Sequence, residues 1–382
     1  MTANLVKHRI LIGPITRDPT ESVGTVNESL VGGLGGDFAF ELHLATRKLG
    51  LDRQGGMNWV NLAYFLKHLA SWVGGLGRSR PAIAHYAVTS HWNMEKSLML
   101  LWLAKRSGAR TIGHLHGGGF LDFWLSLSAR RKTRALRVLG NLDGFVTLSE
   151  GWRTAVIREI GIAPDKVHVV HNPIDPDFER LALGYEPGRG GANVLCFGVM
   201  DRRKGVLDIL EAAAAMPADC PAVFQLVGPE REPGIRAEVE TRISELGLED
   251  RVALFGPVFG ERKAELFRDA ALLLLPSHIE NFPVSVIEAA AAGLPVVATR
   301  VGATPEFFQD EVSALFVETG NVPQITRAVS RILEDGGLRL RLARNARHVF
   351  TQSLKRERVM AQMAAVYHAV LGRNPLNRTT ME

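Results

Sequence analysis

Short runs of apolar and β-branched residues alternate with helical patterns along almost the whole chain. In the first half these runs predict strands at Arg9–Pro14, Ile83–Val88, Arg110–His114, Gly144–Leu148 and Val167–Val170. In the second half they predict strands at Val194–Phe197, Ala222–Val227, Val252–Phe255, Ala271–Leu275 and Pro295–Thr299. Strands that alternate with helices are typical of βαβ units, which build parallel sheets. The sequence therefore predicts an α/β protein with two Rossmann-like, parallel-sheet lobes in tandem.

The stretch between the two halves, residues 173–192, contains three prolines and four glycines. This composition is typical of a linker, and a chain of 382 residues is long enough for two domains. We predict an N-terminal lobe at 1–172, a linker at 173–192, a C-terminal lobe at 193–350, and a C-terminal helix and tail at 351–382. Because parallel sheets bind ligands at the carboxyl ends of their strands, we expect the lobes to face each other across a cleft.

Charge is distributed unevenly between the two halves. Residues 1–172 contain 21 Lys and Arg against 12 Asp and Glu, a net charge of +9, and the rest of the chain carries 24 against 28, or −4. A basic lobe favours anionic partners such as a phospholipid surface, a lipid phosphate or nucleic acid. Few aromatic residues are interleaved with the basic ones, so we expect no nucleic-acid partner.

No targeting or membrane-spanning segment is predicted. The apolar run after Arg9 is too short for a secretory signal, and no stretch of about 18 apolar residues occurs. The two cysteines, Cys196 and Cys220, are too few for a disulfide framework and fit a reducing compartment. The sequence predicts a cytoplasmic protein and leaves open a peripheral attachment to the inner face of the cell membrane.

A glycine-rich segment from Gly32 to Asp37 follows the first predicted strand. We expect it to lead from a long loop into a helix over Asp37–Leu49. Glycines let a backbone approach a phosphate closely, and a helix N-terminus offers free N–H groups. The segment is therefore a candidate phosphate-binding loop. The pattern is neither a dinucleotide fingerprint nor a P-loop, so a plain flexible loop fits it equally well.

A basic loop from Gly198 to Gly205 follows the first predicted strand of the second half. A lysine beside a glycine at a strand-to-helix turn is well placed to meet a diphosphate, and a neighbouring arginine can bind it through two N–H groups. Lys204 and Arg203 are the candidates. On position alone a solvated basic turn is the commoner case, and the next segment shifts the balance toward binding.

The most specific segment contains Glu280, Asn281, Phe282, Pro283 and Glu288. Pro283 fits the first turn of a helix predicted over Val284–Ala292, whose N-terminal amides would meet a ligand. Glu288 lies inside this apolar helix, where a carboxylate needs a partner, and a ribose diol is a suitable one. A glycosidase acid and nucleophile are the alternative for two carboxylates, but they leave the basic loop unexplained.

These segments together resemble the retaining glycosyltransferases of family 4, the "group 1" glycosyl transferases. The resemblance rests on the spacing from Glu280 to Glu288, the Lys204-Gly205 pair and the Gly35-Gly36 pair. It covers nearly the whole chain and is strongest over 194–306. It implies a GT-B fold with an acceptor-binding N-terminal lobe, a nucleotide-sugar-binding C-terminal lobe and a C-terminal helix that packs back on the N-terminal lobe.

The resemblance also implies site residues. Glu280 would contact hydroxyls of the donor sugar, with Asn281 and Phe282 beside it, and Glu288 would bind the ribose. Lys204 would bind the diphosphate, and Gly35 and Gly36 would approach it from the other lobe. The family often has Gly-Arg where this chain has Gly198-Val199, so Arg202 or Arg203 would have to replace the usual arginine.

A histidine pair, His114 and His116, ends one predicted strand of the N-terminal lobe. A strand-end histidine can hydrogen-bond to a sugar or stabilise developing charge. His116 matches the active-site histidine position of the resembled family, whereas His114 is expected to be structural. Together with Glu280 and Lys204, His116 completes the predicted catalytic set.

A helix predicted over Leu121–Leu139 has an apolar face and a basic face. The basic residues are Arg130, Arg131, Lys132, Arg134 and Arg137. Such a helix can lie on an anionic membrane surface, and an ordinary surface helix over the sheet fits the pattern equally well. Many relatives in the resembled family act on lipid-linked acceptors, which favours membrane contact.

No cysteine or histidine pair has zinc spacing, so no metal site and no cofactor are expected besides the nucleotide diphosphate-sugar as co-substrate. The predicted activity is retaining transfer of a sugar to a lipid-linked saccharide or a cell-surface polysaccharide precursor. Two alternatives stay open. One is a nucleotide-sugar 2-epimerase on the same fold. The other is a nucleotide-sugar-binding protein whose site has decayed, a possibility that Val199 raises.

Overall fold

The computed structural model describes residues 7–16, 18, 20–45 and 59–372, without the side chains of residues 59–61. The described residues form two compact units. The first unit contains the described residues up to His171 and those from Glu357 onward, and the second contains Asn172–Arg356. Among the described residues, no helix is both long and apolar enough to cross a bilayer.

The first unit contains a parallel sheet of six strands in the order β2-β1-β3-β4-β5-β6. The strands are β1 (Arg9–Ile15), β2 (Ala39–Leu44), β3 (Ile83–Val88), β4 (Arg110–Leu115), β5 (Gly144–Thr147) and β6 (Val167–Val169). The helices are α1 (Ser22–Leu34), α2 (Trp59–Ser79), α3 (Trp92–Arg106), α4 (Phe120–Ser126), α5 (Ala129–Leu139) and α6 (Glu150–Ala155).

The second unit contains another parallel sheet of six strands, in the order β12-β11-β10-β7-β8-β9. The strands are β7 (Asn193–Phe197), β8 (Phe224–Val227), β9 (Val252–Phe255), β10 (Ala270–Leu275), β11 (Val296–Thr299) and β12 (Leu315–Val317). The helices are α7 (Pro176–Leu183), α8 (Val206–Ala214), α9 (Ile235–Glu245), α10 (Gly260–Asp269), α11 (Val284–Ala292), α12 (Thr304–Phe307), α13 (Val322–Glu334) and α14 (Gly336–Val349).

The last helix, α15 (Arg356–Gly372), belongs to the first unit from Glu357 onward. Its apolar residues recur at helical spacing, and they join the core that contains Ile10 of β1 and Val146 of β5. These residues are Val359, Met360, Met363, Val366, Tyr367 and Val370. A helix with one apolar stripe is stable only when that stripe is covered. The prediction that the C-terminal helix packs back on the N-terminal lobe is confirmed.

The helix predicted over Asp37–Leu49 is wrong. Residues 39–44 form β2, which pairs in parallel with β1, and residues 46–49 lie outside the described part. The glycines before it are also placed differently, because Gly32 and Gly33 lie inside α1, which ends at Leu34. The apolar residues Phe40, Leu42 and Leu44 alternate with polar ones, which is the period of a strand and not of a helix.

The single helix predicted over Leu121–Leu139 is also wrong, because two helices occupy this stretch. The first ends where Ser126 Oγ donates a hydrogen bond to the carbonyl of Phe123 at 2.7 Å. Leu127 and Ser128 are extended, and the second helix begins at Ala129. Leu125 is exposed whereas Leu139 is fully buried, so they do not form one apolar face.

The stretch 173–192, predicted as a linker, contains α7. Asp175 caps this helix by accepting a hydrogen bond from Phe178 N at 2.8 Å. Phe178 is buried against Phe267 of α10, with ring centroids 5.1 Å apart. The chain from Asn172 is therefore part of the second unit, and the domain boundaries drawn from the sequence stay predictions.

Candidate active site

The second sheet reverses its strand order between β7 and β10. Counted from β7, its order is the 3-2-1-4-5-6 of dinucleotide-binding sheets. In such sheets a crevice opens at the carboxyl ends of the two strands on either side of the reversal, and ligands bind there. The loop after β7 carries Lys204, and the loop after β10 carries Glu280. The topology therefore brings the two most specific sequence motifs to one edge of one sheet.

Lys204 ends a short 3₁₀ turn, Arg202–Lys204, that the buried Asp201 caps by accepting a hydrogen bond from Lys204 N at 2.9 Å. Gly205 follows with φ 73°, and a Cβ there would lie 2.4 Å from the carbonyl oxygen of Pro276. Only glycine allows the β7 loop to approach the β10 loop so closely. Lys204 Nζ then reaches Glu280 Oε1 at 2.5 Å.

Glu280 is fixed by two further contacts. Ser277 Oγ donates a hydrogen bond to Glu280 Oε1 at 2.8 Å. Gly302, with φ 60°, lies against this loop so closely that a Cβ would come within 2.3 Å of the carbonyl oxygen of Asn281. The amide of Ala303 donates to that same carbonyl at 2.7 Å. The carboxylate of Glu280, 10% exposed, is therefore pre-organised at the crevice.

Glu288 lies inside α11, a helix that begins at Val284 and ends at Ala292, as the sequence predicted. The residue is 2% exposed. Burial raises the pKa of its carboxyl, and the Lys263 ammonium, which forms an ion pair with it, opposes this shift. Lys263 also lies over the rings of Phe178 and Phe197, at 4.9 and 5.3 Å. The buried carboxylate is thus partnered by a lysine that the sequence analysis did not identify.

Pro283 occupies the N-cap of α11, one position before the predicted first turn, and its side chain accepts no capping hydrogen bond. The first amides of a helix have no partner within the helix and carry a partial positive charge. They lie directly after the Glu280 loop. This is the arrangement in which helix N-termini bind phosphates.

Asn281 and Phe282, predicted as donor contacts, have side chains that are 6% and 3% exposed. The ring of Phe282 stacks on Phe307, with centroids 4.8 Å apart. Its carbonyl accepts a hydrogen bond from Asn172 Nδ2 at 2.8 Å. These contacts hold the loop that presents Glu280.

The two arginines beside Lys204 have different surroundings. Arg202 forms ion pairs with Glu232 and Glu238. Arg203 bonds to Asp201 at 2.8 Å, and its side chain is 60% exposed. Arg203 is therefore the freer of the two to turn toward an anionic ligand near the half-buried Val199.

In the first unit, His116 directly follows β4, and its amide donates to the carbonyl of Val88 at 3.2 Å. Its ring packs on that of His114, with centroids 4.0 Å apart. Burial lowers the pKa of His116 to about 4, so the imidazole is neutral at physiological pH. Within the described chain, the buried Nε2 of His116 has no hydrogen-bond partner. His116 can thus act as a neutral hydrogen-bonding group.

Gly35 and Gly36 do not precede a helix. The amide of Gly35 donates to the carbonyl of Val31 at 3.0 Å, so both glycines lie at the C-terminal end of α1. This end of a helix carries a partial negative charge that repels phosphate. The helix that follows β1 begins at Ser22. Gly24 in its first turn marks this position in the sequence, because a Cβ there would lie 2.0 Å from Thr16 Cγ2 and only glycine fits.

The five basic residues predicted to contact a membrane all lie within α5. Arg130, Arg131, Arg134 and Arg137 are exposed, and Lys132 is half-buried. Arg131 forms an ion pair with Glu95 of α3, and Lys132 Nζ donates to the carbonyl of Leu125 at 3.1 Å. Leu125 of α4 and Trp102 of α3 are 55% and 43% exposed.

Two family models match the chain. The model described as "Glycosyl transferases group 1" matches residues 188–349, which include Lys204, Glu280 and Glu288. The model described as "Glycosyltransferase Family 4" matches residues 33–178, which include His116. The chain therefore contains a group 1 glycosyl transferase domain and a glycosyltransferase family 4 domain. The resemblance drawn from the sequence is confirmed.

Relatives of this group 1 chain include sugar transferases. MMP alpha-(1->4)-mannosyltransferase of Mycolicibacterium hassiacum is 29% identical over 241 residues, 62% of this chain and 56% of that protein. The 2-deoxystreptamine glucosyltransferase of Streptomyces kanamyceticus is 28% identical over 243 residues, 60% of this chain and 61% of that protein. The chain therefore spans less than two thirds of the length of these relatives.

Solved structures share the fold of this group 1 chain. A sucrose-phosphate synthase from Thermosynechococcus elongatus is 20% identical with a TM-score of 0.75, covering 95% of this chain and 98% of that one. Anabaena HepE in complex with UDP-glucose is 18% identical with a TM-score of 0.72, covering 94% and 99%. Two six-stranded Rossmann-like lobes, the predicted GT-B fold, are confirmed.

Sequence analysis missed three parts of this site. Ser277 lies three residues before Glu280, and its hydroxyl was a signal that went unused. Gly302 lies three residues after Thr299, the last residue of β11, and a glycine in such a loop can mark a close approach of two backbone segments. Lys263 gave no signal, because it lies 25 residues before Glu288 in a helix of ordinary surface composition.

Proposed function

We propose that this protein transfers a sugar from a nucleotide diphosphate-sugar to an acceptor with retention of the anomeric configuration. The proposed acceptor is a lipid-linked saccharide or a precursor of a cell-surface polysaccharide. The observation that carries the proposal is the contact of Lys204 with Glu280 at the strand-order reversal of the second sheet, directly before the N-terminus of α11. Membership of the family and the sugar transferases among its relatives support it.

Lys204 and Glu280 neutralise each other when no donor is bound. A diphosphate at this edge would attract Lys204 Nζ and leave the Glu280 carboxylate to accept hydrogen bonds from hydroxyls of the donor sugar. Glu288, held by Lys263, would accept hydrogen bonds from the ribose. Arg203 would supply the positive charge that Val199 does not.

In the proposed reaction, the bond between the anomeric carbon and the diphosphate oxygen breaks. The acceptor oxygen forms its bond on the same face of the sugar, and its proton passes to an oxygen of the leaving diphosphate. Lys204 and the first amides of α11 stabilise the charge that develops on that diphosphate. His116 acts as a neutral hydrogen-bond partner of the donor sugar, and no protein nucleophile takes part.

No essential metal is part of the proposal, because Lys204 and the helix N-terminus supply the positive charge. Among the described residues, no three His, Cys, Asp or Glu side chains are grouped so that they could hold a metal ion. The test is transfer in the presence of a chelator, which we expect to leave the rate unchanged. A rate that fell and returned with added divalent cation would contradict it.

An anionic membrane surface on the cytoplasmic side is the proposed location. The arginines of α5 are exposed. Two exposed apolar side chains accompany them: Leu125, a few residues earlier in the chain, and Trp102 of α3, a helix that packs on α5. Basic and apolar side chains that suit a membrane interface therefore occur together. Each basic residue contributes about 1 kcal/mol near such a surface. Nucleic acid is not part of the proposal.

The deciding experiment compares Lys204→Ala and Glu280→Ala with the wild type in release of nucleoside diphosphate from a panel of UDP- and GDP-sugars. We expect each to lose about 100-fold or more in kcat, while Arg236→Ala, a surface variant, keeps its rate. Undiminished turnover in Lys204→Ala and Glu280→Ala would refute the assignment. Conversion of the nucleotide-sugar without acceptor would show an epimerase, and donor binding without turnover would show a decayed site.

A further inference from the structure

Three buried side chains connect the C-terminal helix to the histidine at the end of β4. Tyr367 of α15 and His85 of β3 share a hydrogen bond of 2.8 Å between the phenol oxygen and Nδ1. His85 Nε2 lies 3.2 Å from His114 Nδ1 on β4. The ring of His114 packs on His116 at a centroid distance of 4.0 Å. A continuous line of contacts therefore runs from α15 to the proposed catalytic histidine.

Both inner histidines are neutral. Burial lowers the pKa of His85 to about 3, and burial followed by the neighbouring His116 and His85 lowers the pKa of His114. Each ring therefore carries one N–H, and the hydrogen bonds decide on which nitrogen it lies. Two arrangements of protons along the chain are possible, and they differ in how many buried groups they leave unsatisfied.

In the first arrangement, Tyr367 O–H donates to His85 Nδ1, and His85 Nε2–H donates to His114 Nδ1. Only the Nε2–H of His114 then has no partner among the described residues. In the reverse arrangement, His114 Nδ1–H donates to His85 Nε2, and His85 Nδ1–H donates to the phenol oxygen of Tyr367. The phenol proton then has no acceptor, because Tyr367 makes no second hydrogen bond in the described chain, and the Nε2 lone pair of His114 has no donor. Each arrangement leaves one buried donor unsatisfied, and the reverse one leaves a buried acceptor unsatisfied in addition. Because every unsatisfied buried polar group costs free energy, the first arrangement is preferred.

We propose that Tyr367, His85 and His114 are positioning residues for His116: hydrogen bonds from Tyr367 through His85 fix the tautomer of His114, and the ring of His114 holds the ring of His116 in place. Tyr367 O–H donates to His85 Nδ1, and His85 Nε2–H donates to His114 Nδ1. His114 therefore carries its proton on Nε2, and its ring packs against the ring of His116. The inference rests on the role of His116 in the proposed function.

The tyrosine is itself held in place. Tyr367 is fully buried, and its ring meets Phe38 edge to face at 5.2 Å. Met363 and Val370, one turn away on either side, are also fully buried in the same core. The phenol therefore cannot follow His85 if that ring moves, which makes α15 the fixed end of the chain.

The test combines nitrogen NMR of ¹⁵N-histidine-labelled full-length protein with kinetics of Tyr367→Phe. In the wild type we expect His85 and His114 to be protonated at Nε2. In Tyr367→Phe, which keeps the ring and removes only the hydroxyl, we expect mixed tautomers and a loss of about tenfold in kcat with an unchanged KM for donor. Tyr64→Phe, on α2 of the same unit, is the matched control and should match the wild type in both measurements.

A His114 proton on Nδ1 in the wild-type spectrum would overturn the proposal without any variant. Mixed tautomers in Tyr367→Phe with an unchanged kcat would overturn the positioning role. An unchanged kcat in His116→Ala would refute it as well and would leave sugar transfer itself standing. The absence of transfer from any donor is a separate result, because the tautomer spectrum needs no substrate.

Discussion

The two units hold their candidate site residues in opposite electrostatic states. In the second unit, Glu280 and Glu288 are charged side chains that are partly or fully buried and paired with lysines. In the first unit, His85 and His114 are buried and His116 is half-buried, and burial lowers the pKa of all three so that their rings are neutral. A charged diphosphate can exchange with a paired lysine, whereas a neutral imidazole offers only hydrogen bonds. The second unit therefore offers paired charges that can bind the diphosphate of the proposed donor, whereas the first unit offers neutral hydrogen-bonding groups.

The largest effect is expected when the buried carboxylate of the second unit, Glu288, loses its lysine partner. Lys263→Met leaves Glu288 buried without a cation, which should lower the free energy of unfolding by about 3–5 kcal/mol. Chemical denaturation followed by circular dichroism measures this. Lys263→Met combined with Glu288→Gln should recover most of the loss.

The neighbouring Arg262→Met is the control for Lys263. Arg262 pairs with Glu265 on the surface of α10 and should change stability by less than about 1 kcal/mol. Equal losses in Lys263→Met and Arg262→Met would show that Glu288 does not depend on its lysine.

A comparison of Gly302 with Gly320 distinguishes the effect of a steric clash from the effect of backbone strain alone. Both Gly302 and Gly320 have positive φ, 60° and 71°, but only a Cβ on Gly302 would meet other atoms, the carbonyls of the Glu280 loop. Gly302→Ala should therefore lower the free energy of unfolding by about 3 kcal/mol and reduce donor turnover. Gly320→Ala should lower the free energy of unfolding by about 1 kcal/mol and leave turnover unchanged. Thermal unfolding and kcat/KM for donor measure both, and similar effects of the two variants would contradict the role of Gly302.

Acid should act on the first unit through its neutral histidines. Burial, and then His68, lowers the pKa of His43 to about 4 from 6.5. The unfolded chain then binds a proton that the folded chain does not, so the stability is complete above about pH 6.5 and is lost as the pH falls toward 4. One such residue contributes up to ~3 kcal/mol. His43→Gln should make stability less dependent on pH between 6.5 and 4.

The comparator for His43 is the exposed His348→Gln in the second unit. Urea unfolding at a series of pH values measures the slope for each variant. If His43→Gln kept the full wild-type slope, the histidine would not be buried as a neutral ring.

The smallest effect is expected on the surface of the first unit. Replacing Arg130, Arg134 and Arg137 by Gln should weaken binding to vesicles that contain anionic lipid by about 1 kcal/mol for each residue. Sedimentation with vesicles at low and high salt measures this, and the same number of changes at Arg236, Arg262 and Arg268 in the second unit is the control. Equal weakening by both sets would make α5 an ordinary surface helix.

The sequence predicted most strands and the helix α11 well, because their apolar runs are buried whatever surrounds them. Val284–Ala292 agrees at both ends, since Pro283 and Gly293 mark them. The helix over Asp37–Leu49 was wrong because glycines were interpreted as a phosphate loop, which obscured the alternation of Phe40, Leu42 and Leu44. The break at Leu127 was missed because a helical period continues across it.

The sequence by itself determined the two-lobed α/β fold, the family, and the motifs around Lys204, Glu280 and Glu288. Those signals are local: glycines beside basic residues, a proline before a helix, and carboxylates in apolar runs. Only the tertiary structure decided the partners, namely Lys263 for Glu288, Gly302 for the Glu280 loop, and Tyr367 for a histidine 282 residues away. Packing sets such contacts between distant segments, and no spacing along the chain encodes them.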